Sequence, residues 1–252
     1  MIKIRALILA AGYATRLYPL TKNTPKALLA IADKPMIEYI IEKIDRADDI
    51  KDIIIVTNDT FYKQFGSWLK FAKHKKPIRI INDGTTSNED RLGALKDIDY
   101  VVKQEMIKDN LMVIAGDNLF EFSLRSFVKF FNEKKSSVLA VFDMKEKDKL
   151  AKKFGVVKLD NSSKITDFEE KPAEPKSSLA ATACYIFTPT DVEELDKFLK
   201  THKKADNPGE FLSYLSAKKP IYGYSFDEGW FDIGSFDQLE EAYKRYENKN
   251  KN

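Results

Sequence analysis

The 252-residue chain has a single cysteine, Cys184, and only two histidines, His74 and His202. One cysteine excludes an internal disulfide and suits a reducing compartment, so a cytoplasmic location is expected. Both histidines stand in polar, lysine-rich surroundings, which leaves no basis for a His-ligated metal centre or a Ser-His triad. No apolar run approaches the roughly 20 residues that a membrane-crossing helix needs, so no membrane span is expected. Lys3 and Arg5 precede an apolar stretch, but this ends at Gly12 and is followed by Thr15 and Arg16. It is too short, and too polar afterwards, for a secretory signal and reads as a buried strand. Neither sign of charge dominates: 42 Lys+Arg against 39 Asp+Glu leave a net +3. The short basic cluster at 73–76 lacks aromatic interleaving and reads as solvated surface, so no nucleic-acid partner is expected.

Hydrophobic residues make up 43% of the chain, enough for one compact domain with a sizeable core. Strand-like and helix-like runs alternate through the first half. Strands are predicted at 4–9, 53–56, 78–81, 111–115 and 137–142. Between them, helices are predicted at 35–44, 60–71, 91–102 and 121–131. The strand runs are almost continuously apolar, as strands covered on both faces are. This alternation argues an α/β fold with a mainly parallel sheet and helices on both faces. After about residue 145 the rhythm changes. A hairpin is predicted from 155–159 and 165–168, a strand at 180–187, a helix at 191–199 and a late strand at 221–226. A terminal amphipathic helix at 235–246 is followed by a Lys/Asn-rich tail, expected to fray over 248–252. The reading is one domain over 1–247, with a nucleotide-binding half at about 1–145 and a substrate-facing lobe at about 146–234.

The most informative segment runs from Leu7 to Lys26. An apolar strand passes into a small-residue loop through Leu9, Ala11, Gly12 and Thr15, which then delivers Arg16 and later Lys26. Few side chains bar the way, so backbone N–H groups can approach a phosphate closely. Two cations follow where a polyphosphate would lie, at the strand end where open α/β sheets bind ligands. The segment resembles the signature of the sugar-1-phosphate nucleotidylyltransferases, Leu-x-Ala-Gly-x-Gly-Thr-Arg-Leu-x-Pro-Leu-Thr-x-x-x-Pro-Lys. One departure is Ala14 in place of the second glycine, which an alanine suits only if φ there is negative.

Four further motifs occur in that family's order. Gly116-Asp117 follows a buried strand; alone, Asp117 could be a turn residue or helix cap. Phe154-Gly155-Val156-Val157 is similar to the family's aromatic-Gly-Val-Val. Glu170-Lys171-Pro172 matches its Glu-Lys-Pro, although these residues alone could form a solvated turn. Trp230-Phe231-Asp232-Ile233-Gly234 resembles its Trp-x-Asp-x-Gly, with Ser235 the better-placed cap of the last helix. Tyr185 matches a position near the sugar, with Ala183 where glycine is frequent; a core tyrosine is an equal reading.

The resemblance implies a three-layer α/β/α sandwich with a mixed, mostly parallel Rossmann-like sheet. It implies transfer of a nucleotidyl group from an NTP to a sugar-1-phosphate, with glucose-1-phosphate and dTTP or UTP as the commoner family pair. Arg16, Lys26, Asp117, Lys171 and Asp232 would be catalytic. Asp117 and Asp232 would hold Mg²⁺, which takes one or two carboxylates and completes its shell with phosphate and water. Leu9, Ala11, Gly12, Thr15, Asn82 and Gly93 would line the nucleotide. Gly155, Glu170, Lys171 and Tyr185 would meet the sugar phosphate. The base-reading glutamine is absent from 82–94, where Asn82 or a backbone group could replace it. The family often forms dimers or tetramers, so a homo-oligomer is within what the resemblance implies. Two other readings stay open: a phosphocholine cytidylyltransferase-like enzyme, which shares the opening loop, and a catalytically silent nucleotide-sugar-binding regulatory subunit.

Overall fold

The structure is a computed structural model that describes residues 3–250. In chain order it runs β1 (Ile4–Leu9), a small hairpin of β2 (Ala30–Ile31) and β3 (Lys34–Pro35), then α1 (Met36–Asp45). It continues with β4 (Ile50–Thr57), α2 (Asp59–Leu69), β5 (Ile78–Asn82), α3 (Ala94–Gln104), β6 (Asn110–Ala115), β7 (Asn118–Phe120), α4 (Leu124–Lys134) and β8 (Val138–Asp143). The second half holds β9 (Val156–Leu159), β10 (Ile165–Glu169), β11 (Leu179–Phe187), α5 (Pro189–Thr201), α6 (Pro208–Ser216), β12 (Tyr222–Phe226), β13 (Trp230–Asp232) and α7 (Phe236–Asn250).

Strands β10-β9-β11-β6-β1-β4-β5 lie side by side, and β8 and β12 extend the sheet from β11. The pairs β1–β4, β1–β6, β4–β5 and β8–β12 are parallel, while β11 runs antiparallel to β6, β8 and β9. The continuous apolar runs have a direct cause. Side chains alternate across a strand, so each run feeds two cores. Ile4, Ala6 and Ile8 of β1 join one buried cluster with Ile53 and Ile55; Leu7 joins the opposite one with Ile54 and Val56. Fully burying each such side chain contributes about 1.5–3 kcal/mol.

Strand β11, from the predicted lobe, is hydrogen-bonded between β6 and β8. Strands from both halves of the chain thus share one sheet. Helix α6 was not foreseen. Pro208 opens it, at the first helical position, where its missing N–H costs nothing. The last helix runs Phe236–Asn250, and 251–252 of the tail expected to fray lie outside the described residues.

Candidate active site

The loop after β1 is held from behind. Thr57 Oγ1 donates to the Ala10 carbonyl at 3.2 Å, Asn58 Nδ2 to the Ala11 carbonyl at 2.8 Å, and Thr21 Oγ1 to the Ala14 carbonyl at 2.8 Å. In a trans peptide the carbonyl and the following N–H point in opposite directions. The N–H groups of Ala11, Gly12 and Thr15 therefore point away from these supports, and Ala11, Gly12 and Ala14 line a cleft. Ala14 has φ 48° and ψ 42°, which corrects the expectation of a negative φ. The small left-handed basin admits alanine at a cost of about 1–2 kcal/mol. The Leu17 N–H, 2.9 Å from the Ala14 carbonyl, helps to hold it there. Arg16 follows on a 3₁₀ turn at Thr15–Leu17, and Lys26 opens another at Lys26–Leu28.

Asp117 sits just beyond β6, and the chain then enters β7. This strand pairs antiparallel with β13, which sets Asn118 opposite Asp232. Trp230 Nε1 donates to Asn118 Oδ1 at 2.8 Å, and this fixes which end of the amide faces the acids. Asn118 Nδ2 then donates to Asp117 Oδ1 at 3.0 Å and to Asp232 Oδ1 at 3.3 Å. The two aspartates that the motifs singled out are thus brought to one amide. Lys26 Nζ lies 2.6 Å from Asp117 Oδ2.

Burial alone would raise the Asp117 carboxyl, but the Lys26 ammonium outweighs it and holds the group below its ordinary value. Asp232 is pushed the other way, to about 6, by burial and by the charge of Asp117. Two carboxylates joined by one amide, with Lys26 and Arg16 as near counter-ions, form a donor set that suits a hard divalent cation. Among the described residues no set of three or more His, Cys, Asp or Glu side chains could hold a metal. Such an ion would draw its remaining ligands from substrate and water.

Two clefts meet at this point. A wide one of about 690 Å³ is lined by Gly155, Glu170, Lys171, Tyr185 and Asp232. A narrower one of about 340 Å³ is lined by Leu9, Ala11, Gly12, Lys26, Gly93 and Asp117. Arg16 and Asn207 line both. In the wide cleft burial raises the Glu170 carboxyl, opposed by Lys171, whose Nζ is 3.7 Å away. Tyr185 lines this cleft and is buried in the core beside Phe187. Thr15 lines neither cleft.

Asn82 does not line the cleft either. Its amide donates to Asp59 at 2.7 Å and its Oδ1 accepts the Gly84 N–H at 2.9 Å, so both ends brace the loop. The next residue, Asp83, lines the narrow cleft together with Asp97. Sequence reasoning passed over both. It also missed Asn118 and Trp230, whose nearness to Asp117 and Asp232 was the available signal. Gly209 was missed too. A Cβ there would stand 2.7 Å from Glu170 Oε2 and from the Phe168 ring, so glycine lets α6 close over the wide cleft.

The sequence model described as nucleotidyl transferase matches residues 5–249. The chain belongs to the nucleotidyl transferase family. Within this family it is 31% identical to the glucose-1-phosphate thymidylyltransferase of Neisseria gonorrhoeae, over 95% of this chain and 81% of that protein. It is 30% identical to the bifunctional protein GlmU of Methanocaldococcus jannaschii over 95% of its own length, but spans only 53% of that relative. A UDP-glucose pyrophosphorylase solved with UDP-glucose superimposes with a TM-score of 0.81 at 25% identity, covering 99% of this chain and all of that one. The three-layer α/β fold with a mixed, mostly parallel sheet is therefore that of nucleotidyl transferases. No helix among the described residues is long and apolar enough to cross a membrane.

Proposed function

We propose that the protein transfers a nucleotidyl group from an NTP to a sugar-1-phosphate, releasing pyrophosphate. The observation that carries this reading is the Asn118 bridge, which gathers Asp117 and Asp232 between two clefts. The narrow cleft, lined by the small-residue loop after β1 and by Arg16 and Lys26, suits the triphosphate. The wide cleft, with Glu170 and Lys171, suits the sugar phosphate. The relatives' names make glucose-1-phosphate, with dTTP or UTP, the first pair to assay.

A sugar-phosphate oxygen attacks the α-phosphorus in line with the departing pyrophosphate. That oxygen is already ionised, so no general base is needed. The protein's work is then positioning and charge stabilisation. Arg16 and Lys26 offset the charge of the triphosphate and of the leaving pyrophosphate. Lys171 holds the incoming phosphate against the repulsion of a second anion. Glu170 accepts hydrogen bonds from sugar hydroxyls. A divalent cation held by Asp117 and Asp232 would supply further charge neutralisation at the α-phosphate.

The test is pyrophosphate release from five NTPs against a panel of sugar-1-phosphates plus phosphocholine, with and without Mg²⁺. Release with a sugar phosphate supports the reading. Release with phosphocholine alone reassigns the acceptor. No release from protein that binds nucleotide identifies a silent binding subunit.

A further inference from the structure

Among the described residues, Arg16 and Asn207 alone line both clefts. Arg16 is a cation and has a task at the phosphates. Asn207 is neutral, and no step of the reaction above uses it.

The neighbours of Asn207 fix its place. On one side Asp206 packs against Gly93, where a Cβ would collide with its carboxylate. The Leu95 N–H also donates to the Asp206 carbonyl at 3.1 Å. Gly93 and Ala94 belong to the narrow cleft. On the other side, Gly209 closes against Glu170 and Phe168 of the wide cleft. Within the segment the Asp206 N–H donates to Glu210 Oε2 at 3.1 Å, and the Glu210 N–H to the Asn207 carbonyl at 3.0 Å. Pro208, with its fixed φ, follows directly. The backbone at Asn207 is therefore anchored to the walls of both clefts.

The side chain, by contrast, is not used by the fold. Asn207 is the N-cap of α6, a position that favours asparagine because its side-chain oxygen can accept an N–H of the first turn. That bond is not made here. Asn58 holds the same position in α2 and does make it, accepting the Phe61 N–H at 3.0 Å while donating to the Ala11 carbonyl. The Asn207 amide makes no hydrogen bond to any described group. A half-buried amide on an anchored backbone, with nothing to hold, stands where the clefts meet.

Its chemistry indicates what it meets. An amide offers two donors and an acceptor. Phosphate oxygens need donors only, whereas a hydroxyl both donates and accepts. With the phosphates at Arg16, Lys26 and Lys171, the groups left between Gly93 and Glu170 are hydroxyls of the NTP's pentose and of the acceptor sugar.

We infer that the Asn207 amide bridges the two substrates, bonding a pentose hydroxyl of the NTP and a hydroxyl of the acceptor sugar, and so couples their binding. The inference rests on the narrow cleft taking the nucleotide and the wide cleft the sugar phosphate. Before binding, the amide is free to turn. The first substrate orders it, and the second then loses less entropy on binding. Such coupling is reciprocal, so either order of addition gives the same factor.

The experiment is calorimetric titration of the full chain with glucose-1-phosphate in Mg²⁺, alone and with saturating α,β-methylene UTP or dTTP, whose carbon bridge blocks transfer. The ratio of the two dissociation constants is the coupling factor. Asn207→Ala is expected to lower that factor about threefold or more. Its melting curve should match the wild type, since the amide holds nothing in the fold. Asn207→Ser keeps a good capping residue but lacks the reach, and is expected to lower the factor equally. A smaller fall in both variants overturns the inference, as does affinity lost for one substrate alone; either outcome leaves the reaction standing. Coupling that depends on Asn207, without pyrophosphate release from any NTP, would sink the reaction and keep the bridge. Wild-type protein that binds glucose-1-phosphate neither alone nor with nucleotide would sink the acceptor assignment and this inference with it.

Discussion

Lys26 Nζ lies 2.6 Å from Asp117 Oδ2, although 91 residues separate the two in sequence. Each is held at the end of a rigid element, Lys26 on its 3₁₀ turn and Asp117 just beyond β6. Of the two side chains Lys26 is the more buried, at 11% exposed against 35%.

Asp117→Ala is expected to lower kcat at least about a hundredfold, because it deletes one of the two carboxylates at the junction of the clefts. The open side of Asp117 lets water reach the orphaned Lys26 ammonium, so the melting point should move by only a few degrees. A steep fall in Tm accompanying the loss of activity would give Asp117 a structural role instead.

Lys171 has φ 46° and a half-exposed side chain. Lys171→Ala is expected to raise KM for the sugar phosphate about tenfold or more, with little change for the NTP. Equal losses for the two substrates in steady-state kinetics would remove Lys171 from the acceptor side.

Asp97 yields a pH prediction whose sign follows from its raised value. The folded protein binds its proton up to about pH 8, whereas the unfolded chain releases it near its ordinary value of 3.8. Stability from this group is therefore fully present below the unfolded value and lost as pH rises toward 8. Asp97→Asn removes that dependence. Thermal melts at pH 5 and pH 8.5 should show the variant gaining on the wild type by a few degrees at the higher pH. The same difference at both values would contradict the assignment.

Ala14 and Ala183 both adopt positive φ, at 48° and 51°. Ala14→Gly and Ala183→Gly should relieve about 1 kcal/mol of local strain each, offset by a similar loss through the looser unfolded chain. Each variant is thus expected to melt within about 3 °C of the wild type. A clearly larger drop for Ala183→Gly would mean that its methyl group is needed where the β11 register shifts, between Ala181 and Tyr185.

The fold was legible wherever one local pattern decided it. The Ile-rich runs of β1 and β4 announce buried parallel strands, and the 3.6-residue stripe of Met36, Ile37, Ile40, Ile41 and Ile44 announces α1. Pairing between distant segments was not legible. Nothing local says that Asn118 faces Asp232 across a two-stranded ribbon, or that β11 slots between β6 and β8. Asn82 and Asp83 show the same limit within a single strand end. Neighbouring side chains turn to opposite sides, so one residue of register decides which enters the cleft. Ala14 shows that a sequence position can keep a glycine-like backbone without glycine when hydrogen bonds hold it.

The Asn118–Asp232 pairing also sets an order of assembly as the chain is made. Polypeptides emerge N-terminus first and fold as they lengthen. The loop after β1, Lys26 and Asp117 can all be in place once β6 has joined β1, while Asp232 arrives only with β13, after the twelve other strands. A nascent chain halted before β13 could already grip a phosphate, yet it would lack the second carboxylate. The last stretch of synthesis therefore acts as a safety catch on the chemistry.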